Sequence, residues 1–426
     1  MLFASSWRNG YNRRHSRRSR LPYRLFLGFF VGFIMAHLRI CPHRRKFLQQ
    51  VGGASLAAGM SSSLILPKLA YGEYKPAGPA GADVGIARGS NMEEAVRKAV
   101  ELSGGMDFIK AGQTVLIKPN VTGAVVNPTT TSPEVLYAVI KLVSERGPKR
   151  IIVADRSFSP IFDTKTPKTV DVMKRVGHLD AVNQAISDFK APVVAVGLED
   201  CEEELENLGR KPDTEMWRKI KPEKAEHWPN GFELAELLFA VDHVINVPVI
   251  KTHFQAWFTM SMKAFVGMSH HRTRMEFHRS FKGNASLTDQ KASGSRRRLG
   301  PEGRKEDIEE VSPMVNRVAE LNLGITPSLN ILDGTRSFVF GGPSHGDSVD
   351  PKLVVASRDR IAADVTGVAV LKRYGTERRL QKFSIWENPF IQHGIKIGLG
   401  IDSLDKLNLK HAGMEEDIKE IKEYLV

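Results

Sequence analysis

Lys251-Thr252-His253 follows an apolar run, His243-Val-Ile-Asn-Val-Pro-Val-Ile250, and Lys263 comes shortly after it. Two ammonium groups and an imidazole in one cleft need an anion or carboxylates between them, or one lysine must give up its proton. Other apolar runs end the same way. Lys118-Pro-Asn120 follows Val115–Ile117, Asp155 follows Ile151–Ala154, Asp333-Gly-Thr335 follows Leu329–Leu332, and Ser357-Arg-Asp359 follows Leu353–Ala356. If these runs are strands of a parallel sheet, their carboxyl ends are where a ligand binds. The expected ligand-binding residues are Lys118, Asn120, Thr252, Asp359 and Lys263, with Lys251, His253 and Asp333 as the catalytic groups. His253, His278, Asp333 and Asp364 are the residues able to hold a divalent metal. The histidine spacing matches no His-Glu-x-x-His pattern, and His270-His-Arg-Thr-Arg274 reads as a solvated surface.

The elements that must position these groups alternate between short β-rich runs and helical patterns. Strands are expected at 84–87, 114–117, 151–154, 192–196, 244–250, 329–332 and 353–356. Asn91 caps a helix reaching Leu102, and Ser132 with Pro133 opens another over 133–146. Further helices are expected at 167–176, 179–188, 233–239, 312–323, 360–373 and 414–425. Phe258, Met262 and Phe265 mark one helix face, which places Thr259 and Lys263 together, four residues apart. Pro248 inside its run suggests an edge strand or a bulge. The pattern predicts an α/β fold, a mixed and largely parallel sheet flanked by helices, arranged as two packed lobes.

Composition narrows the function classes. Residues 1–72 carry 12 of the 61 Lys and Arg and no acidic residue, leaving 49 basic against 48 acidic groups in the remainder. The basic excess belongs to the leader, so no nucleic acid is expected as a partner. With 42% hydrophobic and 26% charged residues the chain is ordinary globular rather than disordered or polytopic. Cys41 lies in the leader and Cys201 is the one cysteine beyond it, in an acidic run that raises a thiol pKa. Neither a cysteine cluster for zinc nor a built-in iron–sulfur cluster is expected. No Gly-x-Gly-x-x-Gly or Walker motif occurs.

The leader is informative. Arg44-Arg45-Lys-Phe-Leu48, then a Gly/Ala/Ser-rich apolar stretch and Ala70-Tyr-Gly72, is similar to a twin-arginine export signal over 35–72. Residues 1–34 are read as a non-native upstream extension, because Met35 would put the arginine pair near the amino terminus. Residues 73–82 are a linker and 83–426 the α/β domain, with an exposed loop at 282–307. The leader implies the twin-arginine translocation machinery as a partner and a periplasmic or otherwise extracytoplasmic location. No stable membrane span is expected after cleavage.

One resemblance joins these motifs. Val115-Leu-Ile-Lys-Pro-Asn120, Thr131-Ser-Pro-Glu-Val135, the Lys251-Thr-His253 run, Lys263-Ala-Phe-Val-Gly267, Leu332-Asp-Gly-Thr335, Gly341-Gly-Pro343 and Ala356–Asp364 resemble, in this order, the domain of unknown function 362 family. The resemblance covers roughly residues 83–400. Many relatives have Lys-Asn where this chain has Lys263-Ala264, so a role for that Asn is absent here. The resemblance implies a fold and site positions and leaves the reaction open. The expected function is an exported protein binding a small anionic ligand, with or without a divalent metal, and acting on it. The alternative is a non-catalytic periplasmic binding or redox-accessory protein.

Overall fold

The computed structural model describes residues 81–158, 167–210, 216–279 and 313–426. Among them fourteen strands occur in chain order: β1 (Ala82–Ala87), β2 (Thr114–Pro119), β3 (Arg150–Asp155), β4 (Val193–Gly197), β5 (Trp217–Ile220), β6 (Phe232–Ala235), β7 (His243–Val247), β8 (Lys251–His253), β9 (Trp257–Thr259), β10 (Leu329–Gly334), β11 (Ser337–Gly341), β12 (Gly346–Val349), β13 (Leu353–Ser357) and β14 (Leu407–Ala412). Eight form one sheet in the order β14-β1-β13-β10-β7-β2-β3-β4. All run parallel except β13, which is antiparallel to both β1 and β10. The three remaining pairs, β5–β6, β8–β9 and β11–β12, are two-stranded ribbons.

The strands read as apolar runs because both sheet faces are covered. Val115, Ile117, Ile151, Val153, Ile245 and Val247 point into one core, whereas Leu116, Ile152, Ala154 and Val244 point into the other. Helices Met92–Leu102, Pro133–Ser144 and His178–Phe189 contribute to the first. Helix Arg360–Arg373 belongs to the second, and it is buried from Arg360 through Lys372, which is why no polar face marks it in the sequence. The expected caps form: Asn91 accepts from the Glu94 N–H at 2.9 Å and Ser132 from the Glu134 N–H at 3.3 Å.

Several elements differ from expectation. Residues 233–239 are β6 followed by a 3-10 turn at Glu236–Phe239, not one helix. β7 lies in the sheet interior between β10 and β2; Pro248 interrupts it after Val247, yet its carbonyl accepts from the Asp333 N–H at 2.7 Å and Val249 bridges to Asp333. Lys251-Thr-His253 is itself a strand, paired with β9, so Phe258 and Thr259 are extended and only Ser261–Ala264 is helical around Lys263. β14 and the β11–β12 ribbon have no counterpart among the expected strands. The leader with Arg44 and Arg45, and the loop 282–307, lie outside the described residues. No helix among the described residues is long and apolar enough to cross a membrane.

Candidate functional site at the carboxyl edge of the sheet

Parallel pairing of β2 with β3 brings Lys118 beside Asp155 at the carboxyl edge. The Lys118 Nζ lies 3.2 Å from Asp155 Oδ1 and donates to the Pro119 carbonyl at 2.8 Å, with both side chains buried. The second Asp155 oxygen accepts from the Val121 N–H at 2.8 Å. Burial pulls the Lys118 pKa down, against the attraction of Asp155. A 3-10 turn, Phe265–Met268, presses onto this pair. A Cβ at Gly267 would stand 1.9 Å from Asp155 Oδ1 and 3.0 Å from Lys118 Nζ, so any other residue there would displace the carboxylate.

Two further cations meet the pair. Arg274, on helix His271–Arg279, is buried and donates to the carbonyls of Ser269, Ser157, Arg156 and Gly267 at 2.7–3.2 Å. Burial holds its pKa down to about 9, with Asp155 opposing and Arg156 assisting. Lys263 is half-buried and has no hydrogen-bond or ion-pair partner among the described residues. Burial first, then Arg274 and Lys118, bring its pKa to about 8, against the pull of Asp155. Lys118, Lys263, Arg274 and the half-buried Arg156 thus face Asp155 and Glu199, an excess of positive charge. The Asn120 Oδ1 is buried without a hydrogen-bond partner, although its N–H is held by the Thr131 hydroxyl at 2.8 Å.

The Lys-Thr-His strand lies near this cluster, since Lys251 feels the charge of Lys263. Lys251 donates to the carbonyls of Thr129 at 2.5 Å and Pro343 at 3.0 Å, which ties together two loops. Burial and nearby Lys263 push its pKa well down, against Asp333. The Thr252 hydroxyl donates to the Phe338 carbonyl at 3.2 Å. His253 Nδ1 accepts from the Gln255 and Ala256 N–H groups, each at 3.1 Å, and so closes the turn into β9.

The expected carboxylates are occupied as well. Asp333 is buried and accepts from the Ser132 N–H at 2.7 Å, Asn127 Nδ2 at 3.0 Å and the Thr335 N–H at 2.9 Å. Burial raises its pKa. Asp364 accepts from the Ser261 and Met262 N–H groups at 2.6 and 3.2 Å and holds the short helix that carries Lys263; burial raises it to about 7. Asp359 sits at the opposite edge of the sheet, because β13 runs the other way. Its oxygens accept from Ala362 N at 2.8 Å and Ile401 N at 2.9 Å. The structure therefore brings Lys118, Asn120 and Lys263 to the carboxyl edge and leaves Asp359 out. His253 Nδ1 and Asp364 accept from backbone N–H groups, Asp333 accepts from backbone N–H groups and the Asn127 side chain, and the side chain of His278 is outside the described residues.

Asp155 and Arg274 are the members that the sequence reading did not assign to the site. Asp155 was visible as a strand-end acid. Arg274 was hidden in a run that reads as solvated, yet Arg274 is buried and His270 is half-buried against Trp217 at 5.1 Å and Glu233 at 3.0 Å. Cys201 is buried, and burial with Glu202 pushes its thiol up to about 12, so it is no nucleophile.

The family model described as domain of unknown function (DUF362) matches residues 115–369. The chain belongs to this family. The matched span opens on β2 and closes inside helix Arg360–Arg373, so every residue of the cation cluster in this DUF362 protein lies within it. Among curated proteins, the thylakoid-associated protein sll1697 of Synechocystis sp. is 27% identical over 283 residues, 65% of this chain and 69% of that protein. Among solved structures, the lactate racemase apoprotein from Thermoanaerobacterium thermosaccharolyticum aligns with a TM-score of 0.38 and 14% identity. That alignment covers 67% of this chain and 57% of the other, a distant likeness from which no chemistry transfers.

Proposed function

We propose that this DUF362 protein binds a small phosphate- or carboxylate-bearing anion at the carboxyl edge and acts on it through Lys263. What carries the reading is the Lys263 ammonium, accessible, without a partner among the described residues and crowded by Lys118 and Arg274. Lys263 contacts the anion; Lys118 and Arg274 supply the positive field; the Asn120 oxygen accepts from a protonated group of the ligand. With a pKa near 8, Lys263 exchanges its proton close to neutral pH, as a general acid or base requires. That Asp333 and Asp364 and the His253 Nδ1 already accept hydrogen bonds from the protein favours the second reading, a non-catalytic binding protein. Export by the twin-arginine route to an extracytoplasmic location belongs to the same proposal and rests on the leader sequence alone.

The test is the melting temperature of the full chain against inorganic phosphate and a panel of phosphate esters and carboxylates. A true ligand at a hundredfold excess over its dissociation constant stabilises by about 2.7 kcal/mol. Lys263→Met is expected to abolish that gain, and His253→Gln to retain it. Equal stabilisation of wild type and Lys263→Met, or no stabilisation of wild type by any member, overturns the reading. Recovery of the bound ligand unaltered after prolonged incubation selects the binding protein over the enzyme.

A further inference from the structure

Away from the residues of the cleft, Glu320 near the end of helix Pro313–Leu321 is fully buried between two imidazoles. Its Oε1 lies 2.5 Å from His227 Nδ1 and 3.1 Å from His393 Nε2, and its Oε2 accepts from the His227 N–H at 2.9 Å. His393 comes from helix Pro389–Lys396 and His227 from the segment between β5 and β6. The three donor atoms all lie within 4.8 Å of one another. The His393 side chain is 9% exposed and that of His227 34%, so the group is walled on one side and open on the other. Its backbone is fixed: Arg317 donates to the His227 carbonyl at 3.2 Å, and the buried Trp228 donates to the Arg317 carbonyl at 3.1 Å.

We propose that His227, Glu320 and His393 form a site for one divalent first-row metal, of which zinc suits the donor set best. Two imidazole nitrogens and a carboxylate oxygen, with a fourth position open to water beside His227, are the ligands and geometry such an ion takes. Metal–ligand bonds of roughly 2.0–2.2 Å put donors about 3.3 Å apart, so the trio adjusts by on the order of one ångström to receive the ion. Binding replaces the two imidazole contacts to Oε1 with metal bonds and leaves Oε2 on the His227 N–H. His227 must then carry its proton on Nε2. That nitrogen faces the Asn316 side-chain amide at 3.2 Å, one helical turn before Glu320. Turning the amide over presents its oxygen to the Nε2–H, which fixes the metal-binding tautomer. This inference is independent of the anion cleft, since none of its residues contributes there.

The experiment strips the full chain with a chelator and titrates it with zinc, then with cobalt as a visible probe. The expected result is one high-affinity equivalent lost in His227→Gln, a weakening of roughly 10–100-fold in Asn316→Ala, and no change in the exposed His345→Ala. Cobalt should show tetrahedral d–d absorption in wild type and lose it in His227→Gln. Urea midpoints of the variants in chelator, close to wild type, establish that they fold. A wild type that takes up no zinc equivalent, or a His227→Gln variant that binds it as tightly, overturns the proposal. Loss in His227→Gln with an unaffected Asn316→Ala overturns the tautomer role of Asn316.

Discussion

Replacing Lys263 with methionine removes a charge that its surroundings hold unfavourably. The site lowers this lysine from its ordinary 10.5 to about 8, because of burial and the cations Arg274 and Lys118. At 1.36 kcal/mol per pKa unit, keeping it protonated costs the fold about 3 kcal/mol. Partial access to water reduces this to about 1–3 kcal/mol. The folded pKa is the lower one, so between pH 8 and 10.5 the unfolded chain holds the extra proton and stability rises with pH. Below pH 8 the full penalty is present; above 10.5 it is gone. Lys263→Met is therefore expected to be more stable than wild type by about 1–3 kcal/mol at neutral pH, with the gap closing in alkali. Urea unfolding of both proteins at about pH 7 and about pH 10 measures this, since alkaline effects common to both cancel in the difference. A variant less stable than wild type at neutral pH, or a gap that ignores pH, would mean that Lys263 has a partner and the cation cluster is no anion site.

Gly267→Ala is expected to destabilise by about 1–3 kcal/mol from overpacking, since the added methyl falls 1.9 Å from Asp155 Oδ1 and the other Asp155 oxygen is held by Val121. Asp155→Ala in that background should recover part of the loss, so strictly additive unfolding free energies would refute contact between them. Arg44→Lys with Arg45→Lys is expected to leave unprocessed precursor inside the cell, because recognition of paired guanidinium groups is not met by ammonium groups. Fractionation and immunoblotting check this, and normal export of the double variant removes the twin-arginine assignment.

Much of the sheet was legible because β2, β3, β7, β10 and β13 are buried on both faces and read as apolar runs with polar ends. The helices capped by Asn91 and Ser132 were legible from the cap residues themselves. The direction of β13 was not, since a strand carries no local sign of its orientation. Its reversal is why Asp359 looked like a site residue and proved to be a helix cap. β14 was missed because its residues are partly exposed and Leu-Asn-Leu-Lys-His-Ala has no continuous apolar run. Lys118 and Lys263 were visible as polar groups beside apolar segments. Arg274 was not, because burial of an arginine depends on carbonyls from Arg156, Ser157, Gly267 and Ser269 that only folding assembles. His227 and His393 stand 93 and 73 residues from Glu320, a separation at which no spacing motif operates.

The position of β1 sets the order in which this protein can be completed. β1 pairs on one side with β13, Val84 opposite Ser357, and on the other with β14, Ala82 opposite Leu407. The first strand described is thus an interior strand whose two neighbours, β13 and β14, come last in chain order among the described strands. Until β13 has been made it has no partner in the sheet, and closing so long a loop makes its docking a late, slow event. The half made of β2, β3, β4 and β7 can pair earlier, as its strands are contiguous in the sheet and supplied from the first 247 residues. For a chain exported folded, as proposed, the proposed signal at 35–72 stays joined to a strand that remains unpaired until the carboxyl-terminal segment has docked. Truncating the chain before β14 would strip one edge of β1 directly downstream of that signal and leave an open strand edge prone to association.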